Sequence, residues 1–353
     1  MLIIKDNFNS ISEEWITSNF FISEKFIQCF VRNNKSLRHL FIKQNNNLIY
    51  SQFFNINLKK SSNYLNNNIV AKILFNLFKI KTFYLTNSFF TNVSSFDINT
   101  KINIESLLKK INNQIDYFLL VIPDFLFEKI DTNKNKGFTK VEIEEEMLIR
   151  DVNKWESIDD YKSSLKTKYR KKIGDIERKS KSIDILEFNI EEIENHKKQI
   201  QKLFDQVLEK SKFNGPRFNT DTLLDMQKNK ICKLYGYCIK SELIGFSSEI
   251  NFNNKLFSYY VGFDKQLNKE YSIYGRMLLE TIKNGINQKC DEIVFGRTAN
   301  EYKSNFGAIP KKSFIYLRTK GEISNYFMTF LFKKLKKQDW KQRNPFKINN
   351  SNA

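Results

Sequence analysis

The chain has few of the residues that build metal sites. Its 353 residues include only two histidines, His39 and His196, and four cysteines, none of them in a CxxC pair. A zinc site needs about four closely spaced Cys or His ligands, so the sequence predicts no metal. We expect the four thiols to be reduced and partly buried, which suits a cytoplasmic protein.

Residues that break regular structure are also scarce. The chain has 4 prolines and 11 glycines, which argues against long flexible linkers, and its 33 phenylalanines supply material for real cores. No secretory leader is visible at the N-terminus. The most apolar stretch, 69–90, is interrupted by Lys72, Lys79 and Lys81. We therefore expect no transmembrane segment and a cytoplasmic location.

Cations are in clear excess, since 58 Lys and Arg residues face 39 Asp and Glu residues, for a formal net charge of +19. One interpretation is codon bias, because Lys, Asn and Ile are abundant throughout. The other is a surface that neutralises phosphates, as in nucleic-acid binding. Both remain open, and either way the charge favours an anionic ligand such as the phosphates of coenzyme A.

The second half of the chain has the more regular pattern of the two. Three strands at 231–240, 243–252 and 256–263 are separated by tight turns at 241–242 and 253–255, which predicts an antiparallel meander. A helix at 272–288, a buried strand at 292–295, a short helix at 299–306 and a last strand at 313–318 follow. A strand, helix and strand in this order predict a parallel pair with a right-handed crossover.

The first half repeats this order more weakly. Strands at 38–43 and 48–58 flank an Asn-rich turn, a helix at 104–113 precedes a buried strand at 117–122, and 138–152 is predicted to be a strand pair. The fold class is therefore α/β, an α+β mixed sheet with two tandem lobes, the second better preserved. The predicted boundaries are 1–154, 155–320 and a basic C-terminal tail, 321–353.

Two amphipathic segments stand outside this repeat. A basic helix is predicted over 161–181, with an apolar stripe of Leu165, Tyr169 and Ile173. It either lines an anionic site or presents a solvated charged face. In the tail, 326–337 sets Phe residues beside lysines. It either docks on its own domain or makes a weak contact with a membrane surface.

The meander and the following helix resemble the core of GNAT acyltransferases. In that family the third meander strand splays from its parallel neighbour and holds acyl-CoA, whose pyrophosphate lies on the next helix N-terminus. The resemblance makes acyl-CoA the expected co-substrate. In the family pattern Gln/Arg-x-x-Gly-x-Gly/Ala, this chain keeps Gly275 but has Ser272 and Met277. The implied cofactor-binding residues are Val261, Gly262, Phe263, Ser272, Tyr274, Gly275 and Arg276.

Gly275 and Arg276 also have plain structural interpretations. The glycine allows either a phosphate or a neighbouring element to approach closely. The arginine either supplies charge to a phosphate or is an ordinary surface residue. The sequence leaves both pairs of alternatives open.

The segment 296–308 resembles the doubled GNAT-like fold of Fem-type peptidyltransferases. It contains Tyr302-Lys303 ahead of Phe306-Gly307, and the basic helix contains Lys168-Tyr169-Arg170. The resemblance covers roughly 155–318, and the first half only by architecture. The GNAT resemblance implies that Tyr302 donates a proton to a leaving thiolate, and the Fem-type resemblance implies that Lys303 binds substrate. The alternative interpretation of Tyr302 is a buried core tyrosine, and that of Lys303 is a solvated lysine.

Other candidate residues come from the residues themselves. Glu249, on the second meander strand, is either a general base or a solvent-facing carboxylate, and Glu301 is a second candidate base. Tyr259 and Tyr260 should point to opposite strand faces, so that only one faces a cleft. The expected substrate-binding residues are Tyr259, Arg297, Lys303 and Arg170.

These residues favour an N-acyltransferase that moves an acyl group from acyl-CoA to an amine by direct attack. The acceptor would be a small molecule, a sugar or a peptide. One alternative is a Fem-type enzyme that uses aminoacyl-tRNA in cell-wall precursor synthesis. Another is a non-catalytic GNAT-like binding module.

Overall fold

A computed structural model describes residues 2–57, 79–130, 137–209, 215–333, 335, 337 and 339–347. They fall into two compact units. Unit 1 comprises Met1–Ile143, Lys212–Asn219 and Ser313–Lys337, and unit 2 comprises Glu144–Ser211, Thr220–Lys312 and Gln338–Ala353. The sequence-based boundaries at 154/155 and 320/321 do not coincide with these. Segments of both the predicted 155–320 lobe and the predicted tail belong to each unit.

Strands and helices are interspersed along the described residues. In chain order the strands are β1 (Leu2–Lys5), β2 (Arg38–Gln44), β3 (Asn47–Asn57), β4 (Lys79–Tyr84), β5 (Phe96–Asp97), β6 (Leu119–Pro123), β7 (Thr139–Arg150), β8 (Asp184–Phe188), β9 (Lys233–Ile239), β10 (Glu242–Phe252), β11 (Lys255–Phe263), β12 (Glu292–Gly296) and β13 (Ile309–Thr319). The helices are α1 (Glu24–Asn33), α2 (Ile104–Gln114), α3 (Asp124–Phe127), α4 (Ile158–Ser164), α5 (Thr167–Lys179), α6 (Ile190–Glu209), α7 (Asp221–Lys228), α8 (Leu267–Tyr271), α9 (Ile273–Asn287), α10 (Asn300–Ser304) and α11 (Glu322–Phe332).

Each unit builds its strands in the same order. In unit 1 the order is β1-β2-β3-β4-β6-β13, with β4 and β6 parallel and the other neighbours antiparallel. In unit 2 it is β8-β9-β10-β11-β12-β7, with β11 and β12 parallel. In both, a strand from the other half of the chain comes last. This shared order confirms the predicted mixed α/β fold with tandem lobes.

Tight turns fix the register of the unit 2 meander. Lys240 and Ser241 both have left-handed backbone angles (φ 49° and 67°), as do Asn253 and Asn254 (φ 50° and 57°). Two consecutive left-handed residues are typical of two-residue hairpins whose twist matches that of the strands. The sequence placed these turns within one residue of their observed positions.

Buried side chains of α9 hold unit 2 together. Ile282 and Ile286 pack with Leu256 and Ile293 in one core cluster, whereas Ile273 and Met277 belong to a second. The helix therefore covers both strands of the parallel pair. In unit 1, Leu107, Leu108 and Ile111 of α2 pack in the same way on β2, β4 and β6.

Two predicted elements are corrected. The segment 138–152 is one continuous strand, β7, rather than a strand pair. The basic segment 161–181 is two helices, α4 and α5, because Leu165 is extended (ψ 146°) and fully buried. The amide of Lys166 then donates to the Pro345 carbonyl at 2.8 Å, which draws the backbone out of the helix.

All four cysteines are buried. Within the described ranges, no three His, Cys, Asp or Glu side chains are grouped so that they could hold a metal ion. The helices described in the same ranges are also too short or too polar to cross a membrane.

Candidate active site

The parallel strands β11 and β12 stay together over only part of their length. Their register pairs Lys255–Phe257 with 292–294, whereas β11 continues to Phe263. The meander side of β11 remains paired with β10 as far as Phe263. The two strands therefore separate beyond Phe257, as the predicted splay requires.

A bulge interrupts β11 where it separates. Ser247 pairs with Val261 and Glu249 with Ser258, so one residue of β10, Ser248, faces two residues of β11. The Ser248 hydroxyl accepts from the Tyr260 amide and donates to the Tyr260 carbonyl, both at 2.9 Å. The rings of Tyr259 and Tyr260 lie 4.4 Å apart. The prediction that they point to opposite faces is wrong, because the bulge breaks the alternation of side chains.

A row of aromatic rings lies beside the separated strands. Phe263, at the end of β11, stacks on Tyr274 with ring centroids 5.5 Å apart. Tyr274 stacks on Tyr302 at 5.6 Å, and Tyr302 contacts Phe306 at 5.7 Å. The row thus links β11, the first turn of α9 and α10. It places Tyr302 of α10 beside the start of the helix that the GNAT resemblance assigns to phosphate binding.

The start of α9 is already occupied by protein groups. Ser272 has left-handed backbone angles (φ 51°), and the Tyr274 amide donates to the Asn268 side chain at 2.8 Å. A Cβ built on Gly275 would lie 2.6 Å from the Tyr302 hydroxyl and 3.0 Å from Ile176. Of the two interpretations of Gly275, this geometry supports close packing.

The predicted cofactor strand is also packed. Val261 and Phe263 are half-buried against the cluster of Ile273 and Met277. A Cβ on Gly262 would lie 2.6 Å from the backbone nitrogen of Phe204 in α6, so the glycine allows the helix backbone to approach closely.

A pocket of about 460 Å³ opens at Tyr302. Lys172 holds its ammonium 5.2 Å from the centroid of the Tyr302 ring. Burial, together with repulsion from Arg343 and Lys168, lowers the pKa of Lys172, and burial raises that of Tyr302. Crowded cations around an aromatic hydroxyl favour an anionic ligand. The pocket is lined by Lys168, Tyr169, Lys172, Glu301, Tyr302, Asn305 and Arg343.

Two of these cations, Lys172 and Arg343, were not among the expected substrate-binding residues. Lys172 lies one turn of α5 after Lys168, and this periodicity could have indicated it. Arg343 comes from the C-terminal segment, pairs with Glu301 and donates its amide to Ser304 at 3.1 Å. The hydrogen bond from Arg343 lowers the pKa of Glu301. A carboxylate stabilised in this way is a poor proton acceptor, so the structure does not favour Glu301 as a base.

Lys303 is fully buried rather than solvated. Its ammonium donates to the carbonyls of Phe295 (2.8 Å), Gly296 (3.2 Å) and Arg297 (2.9 Å). These bonds match its three N–H donors, and burial lowers its pKa to about 7. Lys303 does not line the Tyr302 pocket. In the structure, Lys303 therefore forms hydrogen bonds with the backbone at the end of β12 instead of the predicted contact with substrate.

Glu249 is buried too, with 3% of its surface exposed, so it is not solvent-facing. Its Oε2 accepts from Asn284 of α9 at 3.0 Å, and burial raises its pKa to about 7 despite bonds from Asn284 and Thr281. Tyr302 meets α9 at Gly275. The two partners of Glu249, Thr281 and Asn284, lie six and nine positions further along the helix, a rise of about 9–13 Å. Glu249 and Tyr302 therefore do not share one contact site.

Three predicted arginines lie outside the pocket. Arg276 pairs with Glu280 at 2.6 Å and lines a second pocket, of about 450 Å³, beside Tyr235 and Asn284. Arg170 is exposed on α5 next to the pocket residue Tyr169. Arg297 is half-buried and offers its carbonyl to Lys303.

Comparison with known proteins agrees with this geometry. Residues 167–304 match the family model of the acetyltransferase (GNAT) domain. They include the meander, the splayed pair, α9 and Tyr302, and the predicted acyltransferase class is thereby confirmed. No curated protein matches the chain in sequence.

Solved structures resemble the chain over nearly its whole length. FemX shares 8% identity (TM-score 0.51; 88% of this chain and 94% of that chain covered). L-PGS from Bacillus licheniformis shares 12% identity (TM-score 0.51; 88% and 96%). A conserved protein of unknown function from Bacteroides thetaiotaomicron shares 9% (TM-score 0.52; 90% and 99%). At such identity the likeness shows the fold alone, and it extends over both units of the chain.

Proposed function

We propose that the GNAT domain transfers an acyl group from acyl-CoA to an amine. The observation that carries the proposal is the combination of splayed β11 and β12 with the Tyr302 hydroxyl at the start of α9. A splay leaves backbone groups of β11 available to a pantetheine arm, and in this proposal the Tyr302 hydroxyl serves the leaving thiolate as its proton donor.

The transfer needs little from the protein besides positioning and one proton. The amine nitrogen attacks the thioester carbonyl, a C–N bond forms and the C–S bond breaks. The thiolate takes the Tyr302 proton, and the proton lost by the amine restores the hydroxyl through water. The raised pKa of Tyr302 keeps the hydroxyl protonated until the thiolate forms.

The cations of the pocket suit the charge of such a donor. Lys168, Lys172 and Arg343 surround Tyr302, and a phosphate near them would relieve the repulsion that lowers the pKa of Lys172. Catalysis by Glu249 remains a prediction, because its contacts with α9 lie a helix segment away from those of Tyr302. A cytoplasmic location stays a prediction of the sequence.

A second candidate function follows from one observation. The Tyr274 amide is hydrogen-bonded to Asn268, and the Tyr302 hydroxyl and Ile176 fill the space over Gly275. The N-terminus of α9 therefore has fewer free amides and less room for the CoA pyrophosphate than the usual GNAT turn. An aminoacyl-tRNA donor, which the Fem-type resemblance implies, does not need this pyrophosphate site, and its phosphates would lie on the pocket cations Lys168, Lys172 and Arg343.

A thiol-release assay tests the proposal. The purified chain is incubated with acyl-CoA thioesters of increasing length and with a panel of amines. Release of free thiol should be amine-dependent and should fall about 10²-fold or more in Tyr302→Phe. Tyr271→Phe, which removes a hydroxyl elsewhere in unit 2, is the matched control. Transfer from charged tRNA but from no thioester would favour the second candidate. If neither donor supported turnover, the remaining hypothesis would be a non-catalytic binding module.

A further inference from the structure

Helix α11 carries two apolar stripes instead of one. On its inner side, Phe332 is 6% exposed and packs with Val141 and Leu317, and Met328 contacts the same cluster. This stripe docks the helix on unit 1, as one interpretation of the tail predicted. A helix that is apolar on all sides is normally covered on all sides.

The outer stripe is strongly exposed. The exposed fractions are 78% for Ile323, 79% for Tyr326, 66% for Phe327 and 62% for Phe330. Their spacing of i, i+3, i+4 and i+7 places them on one face of the helix. Single exposed apolar residues are ordinary, but four large ones in a contiguous stripe indicate an interaction surface.

Cations border this stripe. Three cations, Arg318, Lys320 and Lys333, line a groove of about 860 Å³. Tyr326, Phe327 and Phe330 of the outer stripe line the same groove. Two acids also line it, but Glu105 is paired with Arg318 at 3.0 Å, and Glu322 lies at the start of the helix. Beyond Lys333 the sequence continues with Lys334, Lys336 and Lys337. Cations next to an exposed aromatic stripe are the composition of helices that lie in a membrane interface.

We propose that the outer stripe of α11 docks unit 1 on an anionic phospholipid surface. The aromatic rings enter the boundary between headgroups and acyl chains, and Lys320 and Lys333 lie at the lipid phosphates. The eleven residues of α11 rise only about 16 Å, less than a hydrocarbon core of about 30 Å, so the helix lies in the plane of the surface. The cations at the border favour an anionic surface over an uncharged partner.

Cosedimentation of the full chain with vesicles tests this docking. One set of vesicles is phosphatidylcholine alone, and the other is equal parts phosphatidylcholine and phosphatidylglycerol. The chain should bind the anionic vesicles, and added salt should weaken binding. Phe327→Ser with Phe330→Ser should weaken binding about tenfold or more. Lys320→Ala with Lys333→Ala should remove most of the preference for phosphatidylglycerol.

The control is Ile16→Ser, because Ile16 is 85% exposed in unit 1 but lies outside α11. It should bind as the unaltered chain does. Since all these side chains are exposed, the variants should keep the unfolding midpoint, which circular dichroism checks. Equal binding by the double Phe variant would overturn the proposal. So would self-association of the unaltered chain that the same variant abolishes, without any vesicle binding, because the stripe would then contact a second copy.

Discussion

The hydroxyl of Tyr302 occupies the place that a side chain on residue 275 would fill, with only 2.6 Å between that oxygen and a Cβ built on Gly275. The ring of Tyr302 cannot retreat freely, because Tyr274 and Phe306 contact it. Gly275 therefore sets the position of the candidate proton donor. Loss of this glycine should disturb Tyr302 before it disturbs the helix.

We expect Gly275→Ala to destabilise unit 2 by about 1–3 kcal/mol, since an overpacked core must shift. Acyl transfer should fall as well, because Tyr302 moves. Urea denaturation and the thiol-release assay measure the two effects. Alanine normally stabilises a helix relative to glycine, so the sign of the change is informative.

Gly174→Ala is the matched control. Gly174 lies in α5, and a Cβ there would meet nothing within 4 Å. This variant should gain roughly 0.5–1 kcal/mol and keep its activity. If Gly275→Ala gained the same amount, the close approach of the Tyr302 hydroxyl would be refuted.

The buried ammonium of Lys303 should make stability depend on pH. Its pKa is lowered to about 7 in the folded chain, against about 10.4 unfolded. Between these values the unfolded chain binds one proton more, so the free energy of unfolding rises with pH, by at most about 1.4 kcal/mol per unit. We expect Lys303→Met to lose this rise and to be less stable, since three carbonyls lose their donor.

Denaturation of both proteins at pH 6 and pH 9 measures the difference. The advantage of the unaltered chain over Lys303→Met should be larger at pH 9. The same variant distinguishes positioning from binding. A residue that positions the turn should affect turnover more than KM, whereas a substrate contact should raise KM.

Much of unit 2 could be predicted because its signals are local. The turn residues Ser241 and Asn253, the alternation of the meander strands and the apolar stripe of α9 depend on neighbours in sequence. The bulge at Tyr259 and Tyr260 could not be predicted, because one extra residue does not change the composition of a strand. The tyrosine pair was consequently assigned to opposite faces.

The site depended more on contacts between distant residues. Arg343 reaches Glu301 from a segment that the sequence suggested was only a basic tail. The burial of Glu249 could not be predicted from the alternation of its strand. Most residues of β10 are buried, on both faces of the sheet, so a polar residue in it does not mark a solvent-facing side. Burial of this kind follows from the packing of α6 and α9 on the sheet, which a single strand's pattern does not encode.

Glu249 should destabilise the protein as pH rises through the acid range. Burial raises its pKa to about 7, whereas an unfolded glutamate titrates near about 4.3. Between these values the folded chain binds one proton more, so stability falls as pH increases. We expect Glu249→Gln, which does not titrate, to gain on the unaltered chain between pH 4 and pH 8, by a few kcal/mol at most. Chemical denaturation at the two pH values measures this.

The same variant tests the predicted base. If the carboxylate accepts the proton of the amine, kcat/KM of the unaltered chain should rise with pH around pH 7, and Glu249→Gln should lose this rise with about 10²-fold of the rate. Equal turnover at all pH values would leave Glu249 a structural residue. A stability difference that did not change with pH would contradict its raised pKa.

The cations around Tyr302 should bind the anionic part of the donor. We expect Lys172→Met to raise KM for the donor about tenfold, because its ammonium lies against the Tyr302 ring and is one of three cations at the pocket. The slope of log Kd against log salt should also become shallower, since one fewer cation meets the anion. Lys171→Met removes the same charge from an exposed position on α5 that does not line the pocket, so it should leave KM unchanged. Equal effects of the two substitutions would mean that the net charge of the chain, rather than the pocket, attracts the donor.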